Sequence, residues 1–125
     1  MQFTYNKYEK LKSRKLIKQL FEEGKAISVF PLRLIYLKKE HTSKSPIQAS
    51  VSVSKRNFKL AVGRNRIKRL MREVYRLNKP QLYENVTDKY LFMFIYLEKK
   101  EIEYKKLDKK MKEIINLFLN KISEK

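Results

Sequence analysis

The stretch GRNRIKRLMREVYR, residues 63–76, holds six arginines or lysines and a single acid, Glu73, yet its apolar residues recur at helical spacing. At about 100° per residue, Leu60, Gly63, Ile67, Leu70, Met71 and Val74 share one stripe with Tyr75 at its edge, the pattern of a helix laid on a sheet or on another helix. On the same wheel Arg64, Lys68 and Arg72 run along one flank at i, i+4 and i+8, while Asn65, Arg69 and Arg76 point away from the stripe. Like charges at that spacing destabilise an isolated helix by about 0.2–0.5 kcal/mol per pair. One face is built for a core and the other is a cationic ridge.

Working outward, the residues just before this helix alternate strictly. In QASVSVSK, Ala49, Val51 and Val53 face one way and Ser50, Ser52 and Ser54 the other, which predicts a strand with a small polar second face. LRLIYL, residues 32–37, is rich in branched and aromatic residues and reads as another strand. A short extended piece at Lys25 to Ser28 precedes it, and a loop over 38–46 follows. YLFMFIYL, residues 90–97, is apolar on both faces and predicts a central or covered strand.

Two further helices flank these strands. Residues 11–23 carry Leu16, Ile17, Leu20 and Phe21 at helical spacing, with Ser13 as N-cap and Gly24 placed to end the helix in a left-handed cap. Residues 101–122 carry Leu107, Met111, Ile114, Phe118 and Ile122, with Glu98, Glu101 and Glu103 opening the helix; Pro80 predicts a loop over 78–89. The order is α-β-β-β-α-β-α in one domain spanning residues 1–125.

The 125 residues carry a net charge of +18, and 42% are apolar, enough for a folded chain rather than a disordered basic tail. Such a charge calls for a polyanionic partner, nucleic acid before membrane. It is unevenly spread: residues 1–78 hold 20 Lys/Arg against 5 Asp/Glu, and residues 79–125 hold 11 against 8. The partner is therefore expected on the first two thirds. Without cysteine there is no zinc-thiolate site or disulfide framework. MQFTYNKYEK at the start lacks the apolar core of a signal peptide, and the run Tyr90 to Leu97 falls well short of the ~20 residues of a membrane span. A soluble, cytoplasmic chain is expected.

Catalytic chemistry is hard to find. The acids are scattered, His41 stands alone in a loop, and only Gly24 and Gly63 are available where a phosphate-cradling loop needs several glycines. No catalytic residue, no metal ligand and no small-molecule substrate is expected of this chain. What is present is a continuous basic element: Lys55, Arg56, Lys59, Arg64, Arg66, Lys68, Arg69, Arg72 and Arg76 against Glu73 alone. Solvated faces normally mix signs. Guanidinium forks suit bidentate phosphate contacts, and Asn65 can read a base edge or a 2′-hydroxyl.

Ser52-Val53-Ser54-Lys55-Arg56, followed after a short spacer by Arg64, Asn65, Arg66, Lys68, Arg69 and Arg72, resembles the signature of the protein subunit of bacterial ribonuclease P. The resemblance covers about residues 9–122. It implies an α+β fold like the second domain of ribosomal protein S5, with a four-stranded mixed sheet, a left-handed β-α-β crossover at the basic helix and a cleft between the first helix and the sheet. In that family the RNA subunit cleaves the 5′ leader from precursor tRNA with magnesium, and the protein binds without a cofactor of its own. The resemblance assigns the basic helix and strand end to the ribonuclease P RNA. It assigns Ile17, Phe21, Tyr36, Ser52 and Ser54 to the single-stranded leader. The family often has two phenylalanines where this chain has Ile17 and Phe21, and either Ile35 or Tyr36 can be its strand residue in the cleft.

Core packing is the competing assignment for Phe21, Tyr36 and Tyr75. A ribosomal or other structural RNA-binding protein is the rival for the whole chain. A helix-turn-helix DNA binder fits less well, because the basic helix follows a strand. A membrane surface fits least, because the core needs the apolar stripe.

Overall fold

A computed structural model of the chain describes residues 9–41 and 45–123; residues 1–8, with most of the N-terminal decapeptide, 42–44 of the 38–46 loop, and 124–125 lie outside them. The elements follow the predicted order: α1 (Arg14–Glu23), β1 (Lys25–Val29), β2 (Leu32–Lys38), β3 (Ile47–Val53), α2 (Ala61–Asn85), β4 (Tyr90–Tyr96) and α3 (Tyr104–Ser123). The sheet runs β1-β2-β4-β3, with β3 parallel to β4 and the other pairs antiparallel. Strand β4 is central because both its faces are apolar, and α2 is the crossover that parallel neighbours require. Residues 9–11 extend the edge beside β3: the Leu11 amide donates to the Ala49 carbonyl (2.9 Å) and the Ala49 amide to that of Glu9 (2.7 Å).

Each sheet face buries its own cluster. On one, Leu34, Phe92, Phe94, Ala49 and Val53 pack against Ile67, Met71, Val74 and Tyr75 of α2 and Leu107, Met111, Ile114 and Phe118 of α3. On the other, Leu91 and Met93 pack with Leu11 and Leu20, flanked by Leu16, Ile17, Ile35 and Leu37. The α1 stripe follows from its spacing, and the Ser13 hydroxyl caps the helix by accepting from the Leu16 amide at 3.2 Å.

Four local expectations are corrected. Gly24 is extended (φ −72°, ψ 159°), not left-handed. Glycine is required there by crowding, since a Cβ would stand 2.4 Å from the Leu20 carbonyl oxygen and 2.9 Å from Ile35 Cγ2. Helix α2 does not stop before Pro80 but runs nine residues past Arg76, to Asn85. A proline inside a helix costs about 3 kcal/mol, and what offsets it is burial of Asn78, Lys79 and Leu82, with the Asn78 amide donating to the Val74 carbonyl and to Asp108, both at 2.7 Å. Leu60 leaves the stripe: it is the α2 N-cap and 77% exposed. Helix α3 begins at Tyr104, so Glu98, Glu101 and Glu103 precede it, and the Glu103 carbonyl accepts from the Leu107 amide. Tyr75, at the stripe's edge, takes the core assignment weighed for it.

Candidate nucleic-acid interface

The chain leaves β3 through a tight turn. The Ser54 hydroxyl accepts from the Arg56 amide at 3.0 Å, and the Ser54 carbonyl accepts from the amides of Asn57 (3.2 Å) and Phe58 (3.0 Å). Lys55, Arg56 and Lys59 are exposed on this turn and the loop after it. Arg64, at the start of α2, folds back on it and donates to the carbonyls of Phe58 (2.8 Å) and Lys59 (2.9 Å). The turn and the helix are thereby locked into one cationic surface.

Along α2 the cations divide into two sets. Arg66 donates to both oxygens of Glu101, at 3.1 and 3.0 Å. Arg76 pairs with Glu73 at 2.5 and 3.2 Å, and this hydrogen bond holds the Glu73 carboxyl below the ordinary carboxylate range. Lys68, Arg69 and Arg72 pair with no acid among the described residues; Arg69 and Arg72 are exposed and Lys68 is half-buried. Asn65 is exposed beside them. A ridge whose other side is core thus presents three uncompensated charges.

Of the five residues expected in the cleft, Ile17 and Phe21 lie on α1 and Ser52 on the sheet face beneath it, whereas Tyr36 and Ser54 do not belong to that face. Phe21 is 50% exposed, Ile17 packs against the buried Leu91 and Met93 cluster, and Ser52 is half-buried. Tyr36 is corrected: it lies on the opposite face, 8% exposed, its ring edge-on to Phe118 at 5.0 Å between centroids. The pleat decides this, because Ile35 pairs with Met93 on the α1 face and its neighbour must point the other way. Ser54 has left the strand and serves the turn.

One residue of this face escaped the sequence reading. Ser52 pairs with Ile95, Ile95 with Arg33, and Arg33 with Ser28, a row across all four strands. Arg33 is exposed and donates to the Ser28 hydroxyl at 3.3 Å. The signal was present in LRLIYL, where alternation puts Arg33 on the same side as Ile35. Such a row of hydroxyls, a guanidinium and a half-exposed apolar side chain offers phosphate and base contacts together.

The family model described as Ribonuclease P matches residues 5–118. The chain belongs to the ribonuclease P protein family. The ribonuclease P protein component of Porphyromonas gingivalis is 44% identical over 94 residues, covering 74% of this chain and 68% of that one. That of Clostridioides difficile is 31% identical over 112 residues, covering 89% and 92%. Among solved structures, the ribonuclease P protein of Thermotoga maritima has a TM-score of 0.68 at 20% identity, covering 86% of this chain and 94% of that one. The Staphylococcus aureus protein gives 0.68 at 15%, covering 87% and 94%. These two show the shared fold: three helices around a four-stranded mixed sheet, in the α+β class.

Proposed function

We infer that this chain is the RNA-binding subunit of a ribonuclease P ribonucleoprotein in the cytoplasm. It holds the catalytic RNA on the α2 ridge and the 5′ leader of precursor tRNA on the sheet face beside α1. The observation that carries the reading is the set Lys68, Arg69 and Arg72, three cations without an acidic partner among the described residues on a helix whose opposite side is buried. Placing them together costs stability that only a polyanion returns.

Phosphodiester hydrolysis is assigned to the RNA subunit with its magnesium. Four of its acids are engaged elsewhere: Glu73 holds Arg76, Glu101 holds Arg66, Asp108 holds Lys112 and Asn78, and Glu9 holds Lys79. The protein's contribution is to neutralise phosphates and fix the leader, so that substrate binds at lower magnesium. The exposed Phe21 ring supplies a stacking surface, and the row from Ser28 to Ser52 supplies hydroxyls and one guanidinium for backbone oxygens.

The test is reconstitution. Purified protein is added to a bacterial ribonuclease P RNA with precursor tRNA at low magnesium, and cleavage at the mature 5′ end is followed. Cleavage by RNA plus protein, and by neither alone, is the expected result. Cleavage by RNA-free protein, abolished by mutating its own acids, would overturn the division of labour.

A further inference from the structure

Helix α1 is held to the sheet unevenly. Leu20, in its second half beside the crowded Gly24, is its one buried residue, whereas Leu16 and Ile17 in the first half are half-buried. What fixes the first half is the segment before it. Glu9 and Leu11 bracket Ala49 of β3: the Glu9 carbonyl accepts from the Ala49 amide (2.7 Å) and the Leu11 amide donates to the Ala49 carbonyl (2.9 Å). Leu11 is buried with Leu20, Leu91 and Met93, and Ser13 then caps α1.

That segment is pinned in turn by α2. The Glu9 carboxylate pairs with the Lys79 ammonium, and the two residues are 5% and 3% exposed. The Tyr83 hydroxyl donates to the same carboxylate at 2.6 Å, and the Ser45 hydroxyl lies 3.0 Å from that of Tyr83. Burial first, and then the hydrogen bond to Glu9, push the Tyr83 hydroxyl far up, so it stays a donor. An ion pair this deep gives little net stability over an apolar pair of the same volume, because desolvation offsets the attraction. What it adds is direction, since donors from two side chains of α2 converge on one carboxylate and fix residue 9 as apolar contact does not.

Lys79 stands beyond Arg72 on the same helix, roughly 10 Å further along its axis. The rod that carries the cationic ridge therefore also holds the segment that carries α1. Through this contact the ridge and the cleft keep one fixed spacing.

We propose that Glu9, Lys79 and Tyr83 are positioning residues for the leader. They touch no RNA; they set where α1, with Ile17 and Phe21, stands over the sheet face relative to the ridge on α2. Without them each surface still binds, but the leader is no longer held in place relative to the RNA on α2. The proposal rests on the leader-binding reading above.

The experiment removes the direction and keeps the volume. Glu9→Leu/Lys79→Met replaces the pair with apolar side chains and leaves no buried charge, so melting should change little. Binding to ribonuclease P RNA alone, and its salt slope, should be unchanged, because every cation of the ridge remains. In the assembled holoenzyme, the preference for precursor tRNA carrying its leader over the same tRNA lacking it should fall about tenfold, the order of one stacked base. Lys79→Arg, which keeps the charge, should retain the preference. The Leu11 and Ala49 amides should exchange with solvent faster in the double variant, with those of β4 unchanged.

A folded double variant that keeps the full leader preference makes the pair merely structural and overturns the proposal. An equal loss with leader-bearing and leaderless tRNA overturns it too. So does a leader-specific loss with wild-type exchange at Leu11 and Ala49, because the effect then does not run through the segment. If the double variant does not fold, Glu9→Gln, which keeps the volume but leaves Lys79 without its counter-charge, is judged by the same criteria. These outcomes leave the leader-binding reading standing, whereas a wild-type holoenzyme without leader preference removes that reading itself.

Discussion

Arg66 reaches from α2 to Glu101, just ahead of α3, and donates to both carboxylate oxygens, whereas Arg69, one helical turn further on, meets no acid among the described residues. Neighbouring cations of one ridge are thus unequal before any RNA arrives. On the proposed RNA-binding reading, Arg66 would exchange a carboxylate for a phosphate, and Arg69 would lose only water and counterions.

Glu101→Gln should therefore tighten RNA binding. The pair is exposed on both sides (62% and 45%), so its loss costs no more than about 1 kcal/mol of stability. The released Arg66 should steepen the salt dependence by up to roughly 0.9. Filter binding across a salt series reads both effects, and weaker binding in the variant would refute the exchange.

Phe21→Ala and Tyr36→Ala should separate cleanly. Phe21 is half exposed, so its removal should leave melting nearly unchanged and weaken substrates with a long leader by about 1–3 kcal/mol, the worth of a stacked base. Tyr36 packs on Phe118, so its removal should cost about 3–5 kcal/mol of stability with no preference for leader-bearing substrate. Thermal melting alongside binding to precursor and mature tRNA distinguishes the two. A leader-specific loss for Tyr36→Ala would return it to the cleft.

The difference between these two residues marks how far the sequence could be read. Element order, the central place of β4 and the double character of α2 are all periodicities, and periodicity is local. Tyr36 against Ile35 is a question of which face α1 covers, and that depends on the register of β2 with β4. Pro80 argues locally for a break, and the helix continues only because residues 30 and 70 positions away, Asp108 and Glu9, hold Asn78 and Lys79. The family signature located the ridge but not which of its cations are already engaged.

Acid should loosen the α2–α3 contact through Asp108. Burial pushes its carboxyl up, but hydrogen bonds from Lys112 (2.6 Å) and Asn78 (2.7 Å) together with the Lys112 charge outweigh this and hold it below its ordinary value of 3.8. A carboxyl lowered on folding contributes stability above its unfolded pKa and loses it as pH falls through the folded one. Denaturant midpoints should thus drop on the acid side of the ordinary aspartate range, and less so in Asp108→Asn. An identical acid profile in that variant would show that Asp108 carries none of the dependence.

The most direct test of the central claim is the salt dependence of binding to ribonuclease P RNA for wild type and Lys68→Ala/Arg69→Ala/Arg72→Ala. Each phosphate neutralised contributes roughly 0.7–0.9 to the slope of log K against log salt. If all three cations meet phosphates, the slope should become shallower by about 2–3 in total. Melting should change little, because alanine favours the helix and none of the three has an acid partner among the described residues. A higher magnesium requirement for leader cleavage should accompany the loss. An unchanged slope in the folded triple variant would make the ridge a solvated face and would contradict the account of this chain as the RNA-binding subunit.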